Sequence, residues 1–435
     1  MFRRFVPLLA APALLTAEEG HSHHDHDHSH DHDHAHHLQE KVPESGWFRL
    51  HPHVNAAFAI GGSTAEKNFN LIQGSHAPVD DGFNLQGIEI GGAAEFGEVL
   101  SLHAYHNVFW DRFDGWDSEW EEAYATIHLP GEVSIRGGQF FAAFGHENTL
   151  HLHQRQFVEP PISMVRLLGE EGLIVQGAEL AWHLPGTRKK WQLRLGYGQA
   201  PDHSHGATRE LRREAYLEGI KHAGEHDHDH GHEGGEEHEE EEHGHHHGHG
   251  LAGNGGAYDA ENAYLDDGFF TGRLETKPGI AGIETAGFSF AGGENGFGRT
   301  TWIAGADVRG KTLLADRPLW WQGEVFYRAV EARDEAGIKG DYDETGIYAA
   351  CGYEFMEDWI AAGRLEWASG NRMSGYERRW RASANVGRQV ELGRHVDLHT
   401  RLQYSYDRLG GYEDEHSVWL QFVLNFGAGE DGHVH

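Results

Sequence analysis

The sequence predicts an all-β protein: a transmembrane antiparallel β-barrel of about 16 strands, with a disordered His-rich N-terminal arm and a His-rich external loop. Three observations carry the prediction. Apolar and polar residues alternate with a period of two, the strand period. The alternating segments run to about ten residues or more, the length a tilted strand needs to cross a bilayer, whereas globular strands average about five or six. Long and short connections mostly alternate between them, the pattern of barrels with short periplasmic turns and long outer loops.

The alternation is plain in several segments. In VDLHTRLQYSY (396–406), Val396, Leu398, Leu402, Tyr404 and Tyr406 share one face, and Asp397, His399, Arg401, Gln403 and Ser405 the other. WQLRLGYG sets Trp191, Leu193, Leu195 and Tyr197 against Gln192 and Arg194. VWLQFVLNF sets Val418, Leu420, Phe422, Leu424 and Phe426 against Gln421 and Asn425. Polar faces that carry Arg194, Arg364 and Arg401 do not suit a dry sandwich core but do suit a watery lumen. Trp359 and Trp367 are eight residues apart, about 26 Å at the usual strand rise, close to the height of an outer-membrane apolar band.

In order, the expected strands lie near 47–60, 83–96, 99–110, 119–129, 132–141, 172–184, 189–198 and 266–276, then 283–291, 300–310, 319–331, 344–355, 358–368, 379–390, 396–407 and 415–426. Long connections follow most odd-numbered strands, notably 61–82, 142–171 and 199–265, and short ones such as the GE at 97–98 and the PG at 130–131 follow the even-numbered ones. The turn near 311–318 is the least clear. Placing the short turns in the periplasm puts both termini there and the 199–265 loop outside the cell.

Composition narrows the partners. The 435-residue chain has 35 Lys plus Arg against 69 Asp plus Glu, a formal charge of −34. Nothing would neutralise a phosphate backbone, so nucleic acid is not expected and cations are favoured. A single cysteine, Cys351, excludes an intrachain disulfide and a thiolate metal cluster. The start MFRRFVPLLAAPALLTAEEG pairs Arg3 and Arg4 with an apolar run over 5–15, too short to span a bilayer, and reads as a signal peptide ending near 17. The expected organisation is a signal peptide at 1–17, a His-rich periplasmic arm at 18–45, an outer-membrane barrel at 46–427 and a tail at 428–435.

Two tracts hold 21 of the 38 histidines. The first contributes His21, His23, His24, His26, His28, His30, His32, His34, His36 and His37, interleaved with Asp25, Asp27, Asp31 and Asp33. The second, over 222–250, holds His222 and the candidate ligands His226, His228, His230, His232, His238, His243, His245, His246, His247 and His249, crowded by acidic residues such as Glu239 to Glu242. Such low-complexity segments cannot bury a core. Imidazole with carboxylate suits borderline divalent metals, Zn²⁺ above all, with Ni²⁺ and Cu²⁺ as alternatives. Many interchangeable ligands on a flexible chain give exchanging sites, so no tightly bound cofactor is expected. The other reading is a solubilising or pH-responsive tail.

The connection AAFGHENTLHLHQRQFVEPPISMVRLLGEE (142–171) has enough apolar content to pack rather than float. By analogy with sixteen-stranded porins, whose loop after the fifth strand enters the lumen, it is a candidate constriction. Its polar members are His146, His151, His153, Arg155, Glu159, Arg166, Glu170 and Glu171, together with Glu147. His151 and His153 are also candidate zinc ligands, the alternative being ordinary polar groups on a packed loop.

The segments FNLQGIEIGG (83–92), WEEAYATIHLPG (120–131), IRGGQFFAAFGHENTLHLH (135–153), FVEPP (157–161) and RLLGEEGLIVQGAELAWHLP (166–185) resemble the porin-like proteins described as zinc-regulated TonB-dependent outer-membrane receptors. The resemblance covers about a quarter of the chain and implies a Gram-negative outer-membrane barrel linked to zinc limitation. The chain departs from the TonB part of that description. No energy-coupling box or N-terminal plug stands out, and the barrel is too short for the 22 strands of a plugged transporter, so coupling to an inner-membrane energy system is not expected.

Together these readings point to a porin-like channel for divalent metal, with His-rich segments gathering metal on both sides of the membrane. Its partners would be divalent ions and outer-membrane lipid, and a homotrimer is open to it. The alternative is a barrel-anchored metal-binding and buffering protein without transport. An enzyme is not expected, since no nucleophile motif such as G-x-S-x-G stands out.

Overall fold

The computed structural model describes residues 47–64, 74, 76–78, 81–111, 115–201, 258, 261–334, 337–393, 395–410 and 414–427. The expected signal peptide, both histidine tracts with their candidate ligands, and the C-terminal tail lie outside the described residues.

The sixteen strands are β1 (Phe48–Ser63), β2 (Gly82–Phe96), β3 (Leu100–Asp111), β4 (Gly115–Leu129), β5 (Val133–Phe141), β6 (Ile174–His183), β7 (Trp191–Gln199), β8 (Phe269–Thr276), β9 (Thr285–Glu294), β10 (Thr300–Leu314), β11 (Arg317–Arg333), β12 (Lys339–Met356), β13 (Trp359–Ala368), β14 (Arg379–Gly393), β15 (Val396–Leu409) and β16 (Glu415–Gly427). Each pairs with its neighbours in sequence, and β1 pairs antiparallel with β16 from His53↔Gly427 to Ser63↔Ser417, so the sheet is a closed barrel. Closure leaves no sheet edge exposed. All sixteen expected strands are present.

The unclear turn near 311–318 resolves as two residues. Leu314 pairs with Arg317, and Ala315 and Asp316 both take positive φ, 51° and 61°. That is the backbone of a tight primed hairpin turn. It lacks the usual Asn-Gly or Asp-Gly, so sequence places the turn poorly and shortens both flanking strands.

The two faces of the wall differ as the alternation requires. Outward residues include Leu195, Phe270, Phe288, Trp302, Leu365, Trp380 and Leu402, all exposed. A continuous apolar outer band is costly in water and is the surface a bilayer covers. Aromatic pairs sit toward its rims, Trp110 with Trp116 and Trp367 with Trp380. Cys351 is exposed on this outward face.

The inward face is drier than a water-filled lumen. Arg364 pairs with Glu366 at 2.7 Å, Arg194 with Glu179 at 3.1 Å, and Arg401 donates to the Arg155 carbonyl. Arg273 pairs with Asp307, and Arg379 and Arg381 share Asp407. Pairing and hydrogen bonding offset part of the cost of burying these charges. The reason they are buried is the connection between β5 and β6, which packs inside the barrel.

That connection includes one short helix, α1 (Ile162–Leu168), whose residues are all buried. Its apolar side joins Phe140, Phe144, Leu173, Val175, Phe269, Ile303 and Phe326 in the largest core cluster. Wall side chains hold its backbone from the far side. Glu324 accepts from the N–H groups of His146 and Glu147 at 2.9 Å, Glu366 from Ile162 at 2.7 Å, and Gln403 from Val158 at 2.9 Å. These partners lie on β11, β13 and β15, so the loop crosses the lumen.

Candidate metal centre

Where the inward loop meets β1 to β4, it delivers His151 into a nest of carboxylates. His151 Nδ1 lies 2.7 Å from Glu89 Oε2 and 2.8 Å from Glu121 Oε2, and its Nε2 lies 3.1 Å from Glu122 Oε2. The imidazole is 2% exposed. Its ring also lies against Tyr105 and edge-on to Phe141. A second histidine, His76, arrives from the connection between β1 and β2. Its Nε2 is 3.1 Å from Glu119 Oε1 and 3.3 Å from Glu121 Oε1.

Two register shifts in the wall aim these groups inward. In β4, Tyr105 pairs with Glu122 and His106 with Trp120, so Glu121 is the extra residue of a bulge. Strict alternation would send Glu121 and Glu122 to opposite faces; the bulge leaves both buried in the lumen. In β2, Ala57 pairs with Gly87 and Phe58 with Leu85, which makes Gln86 the extra residue. Gln86 turns inward and holds His76. Beside it a Cβ at Gly87 would lie 2.5 Å from the Asn107 amide oxygen, so a side chain there would displace Asn107.

Sequence expected this region only in part. Of the candidate constriction residues, the structure brings His151 and His153 to the cluster, and Arg155 and Glu171 line a small cavity beside it. His146 sits apart, against Arg309. Glu159 and Arg166 do not line a passage. Glu159 accepts from Gln403, while Arg166 donates to the Ser369 and Glu377 carbonyls and stacks on Tyr376. Both are tethers, because a loop that crosses a lumen needs polar anchors on the far wall. Glu170 is half-buried and is not among the residues around His151. Missing from the sequence reading were His53, His76, Glu89, Glu119, Glu121 and Glu122. The one available signal was the acidic run SEWEEAY on a strand otherwise expected to alternate.

Charge explains how the cluster is held. Burial alone would lower the pKa of His76, but hydrogen bonds to Glu119 and Glu121 and their charges overcome it and hold it up at about 10. Burial works against protonated His151 too, and the Glu89 charge with hydrogen bonds to Glu121, Glu122 and Glu89 raises it well above the ordinary value. His153 goes the other way. Burial pushes it down to about 4 despite the Glu89 charge, and His151 and His53 add to the fall. Without metal, two imidazolium ions neutralise part of a four-carboxylate cluster.

The same atoms suit a divalent ion. Zinc binds imidazole nitrogen and carboxylate oxygen at about 2.0–2.2 Å, so tetrahedral ligands stand about 3.3 Å apart. The His76, Glu119 and Glu121 atoms already have nearly that spacing, and those around His151 need to open by about half an ångström. Three-residue ligand sets, His76 with Glu119 and Glu121, and His151 with Glu89 and Glu121, each lie within 4.8 Å. His76 Nδ1 donates to the Gln86 carbonyl at 3.2 Å, the outer contact that orients a metal-binding imidazole with its other nitrogen toward the carboxylates. A cavity of about 10 Å³ between the two histidines, bordered also by Glu119, Glu121 and Arg155, has room for one water or ion.

No protein-family model matches the chain. A 66-residue stretch is 41% identical to an uncharacterized protein of Aquifex aeolicus (strain VF5), covering 15% of this chain and 14% of that one. In three dimensions the chain is similar to the outer membrane channel DcaP of Acinetobacter baumannii, with a TM-score of 0.51 at 10% identity over 88% of this chain and 97% of that one. It also aligns with an anion-selective porin from Comamonas acidovorans, TM-score 0.48 at 8% identity, over 88% and 99%. The fold is that of a porin-like outer-membrane barrel. The closed sheet and its apolar outer band put the protein in the outer membrane of a Gram-negative cell.

Proposed function

We propose that the protein is a non-enzymatic outer-membrane channel for divalent metal, with zinc the preferred ion and nickel or copper the alternatives. Metal would be gathered by the histidine tracts on either side of the membrane. The observation that carries this reading is His151, brought by the lumen-crossing loop within 3.1 Å of Glu89, Glu121 and Glu122 and beside His76. Ordinary diffusion of sugars or small acids gives no reason to build a buried imidazole and carboxylate cluster. Metal selection does, because it needs ligands that strip water from the ion. The sixteen-strand count supports passive passage over energised import. The short turns would face the periplasm, placing the 199–265 loop outside, and trimers of such barrels would leave the lumen site in each subunit unchanged.

A second reading also has a specific observation behind it. The inward loop is packed against the far wall, and the space beside His151 holds about one ion. This favours a barrel-anchored metal buffer with a closed lumen. Zinc influx into liposomes carrying the full-length protein and a trapped zinc-sensitive dye separates the two. Influx reduced at low zinc by removing 203–250, and reduced at all zinc levels by His151→Ala, supports the channel. Zinc bound without influx from any form supports the buffer.

A further inference from the structure

Glu121 and Glu89 each face imidazole groups with both carboxylate oxygens. Glu121 Oε1 is 3.3 Å from His76 Nε2, and its Oε2 is 2.8 Å from His151 Nδ1. Glu89 repeats the arrangement. Its Oε2 is 2.7 Å from His151 Nδ1, and its Oε1 is 3.0 Å from His53 Nε2 and 3.4 Å from His153 Nδ1. Imidazole and carboxylate therefore alternate without a break from His76 through Glu121, His151 and Glu89 to the pair His53 and His153.

We propose that this row holds two adjoining divalent-cation stations bridged by Glu121, which offers one carboxylate oxygen to each, so that the lumen holds more than one ion at once. The inference rests on the metal-channel reading and adds the number of ions and the way they move. The first station is His76, Glu119 and Glu121; the second is His151 Nδ1 with Glu121 and Glu89, while Glu122 faces the other ring nitrogen and orients it. The row ends beyond Glu89, where the Asn55 amide donates to Glu89 Oε1 at 2.8 Å and lies 3.2 Å from His153 Nδ1, so that an N–H group fills the place between them.

Three features support shared rather than single occupancy. A carboxylate that offers one oxygen to each of two ions is the usual bridge of two-metal sites, whose ions stand about 3.5–4 Å apart. The wall spends two bulges on this geometry, one turning Glu121 inward and one turning Gln86 toward His76. Asn107, 1% exposed, donates to Glu121 Oε1 at 3.2 Å and so holds the shared carboxylate with its other oxygen toward His151. Adjoining stations also reconcile capture with release. An ion held by several ligands would stay, but a second arriving beside it weakens both by repulsion, and the shared carboxylate lets ligands exchange one at a time. The row has a direction as well. His76 belongs to the long connection after β1, and His53 lies near the start of β1 at the short-turn end.

Cobalt(II), a stand-in for zinc, tests this in the full-length protein purified in detergent, read by electron paramagnetic resonance. Two cobalt ions that share Glu121 couple, and the isolated-ion signal falls as the second lumen site fills. Glu121→Gln keeps both histidines and is expected to restore isolated signals, while Glu89→Gln, which leaves the bridge intact, is expected to weaken the second site and to keep the coupling once that site is filled. The histidine tracts contribute equally to every protein, so difference spectra report the lumen. Should Glu121→Gln fail to fold, the difference between the wild type and His151→Ala, which removes the second station, decides in its place. Isolated signals at every loading would overturn the proposal. Zinc influx with uncoupled cobalt removes the shared stations and leaves the channel; coupled cobalt without influx removes the channel and leaves the stations.

Discussion

His76 and Gln86 hold each other by two hydrogen bonds. His76 Nδ1 donates to the Gln86 carbonyl at 3.2 Å, and Gln86 Nε2 donates to the His76 carbonyl at 2.8 Å. Gln421, from β16, donates to Gln86 Oε1 at 2.6 Å and pins the clamp to the wall. The imidazole is thereby turned so that Nε2 faces Glu119 and Glu121. Outer contacts of this kind are worth about 10–100-fold in metal affinity. Gln86→Ala removes the side-chain half of the clamp and leaves every ligand in place. Competition against a chelator is expected to show weaker zinc binding in the lumen by about that factor; an unchanged affinity would mean that His76 does not depend on Gln86.

How much of this was legible before the structure depends on how local each signal is. The strands were legible because alternation is written in neighbouring residues, and all sixteen are present. The turn at Ala315-Asp316 was not, since positive φ there is imposed by the hairpin and not signalled by glycine or asparagine. In the site, His151 and His153 stood out as a pair on a loop with reason to fold inward. Their carboxylate partners did not, because Glu89 and Glu121 lie 62 and 30 residues from His151. Glu121 was further disguised by its bulge, which breaks the very periodicity used to assign faces. Glu159 and Arg166 looked like pore-lining groups because a charged residue on a loop reads the same whether it faces water or an anchor.

Glu147 gives a pH test away from the cluster. It is buried in the inward loop, where loss of hydration raises its pKa above the ordinary value despite the opposing charges of Arg364 and Arg155 and a hydrogen bond from Gln322. A carboxyl with a raised folded pKa contributes stability below its unfolded pKa, about 4.3, and loses it as pH rises through the folded value. Glu147→Gln keeps an acceptor for Gln322 and cannot ionise. Thermal unfolding in detergent is expected to show the wild type losing ground to this variant as pH rises from acid to neutral. A constant difference across that range would mean that Glu147 ionises without cost.

Arg328 and Glu344 form a fully buried ion pair between β11 and β12, each side chain 0% exposed. Arg328 also donates to the Leu167 carbonyl at 3.4 Å, so the pair supports the end of α1. Removing one partner of such a pair leaves an uncompensated buried charge and costs about 3–5 kcal/mol. Glu344→Gln is expected to lower unfolding stability in urea by that order, whereas Arg328→Met with Glu344→Leu, which removes both charges, is expected to recover much of it. Equal losses in the single and double variants would show that packing, not charge, is the source.

The lumen changes sign beyond His151. Glu122, whose carboxylate meets His151, also borders a cavity of about 180 Å³ lined by Arg136, Arg194, Arg273 and Arg309 and by lysines near the short turns, Lys189, Lys190 and Lys277. Arg136 and Arg194 share Glu179, and Arg273 pairs with Asp307 and Glu275. Arg309 reaches His146 at 3.2 Å and pairs with no carboxylate among the described residues. A divalent ion that leaves the carboxylate cluster toward the short-turn end therefore passes this cavity against like charge, a barrier that falls with ionic strength because the Debye length is about 10 Å at 0.1 M. Arg309→Glu reverses one charge on that path without touching a metal ligand. Zinc influx is expected to rise on the order of tenfold at low salt, as charge steering allows, and the difference is expected to shrink toward 0.5 M salt. Influx unaltered at low salt would place the passage elsewhere in the lumen.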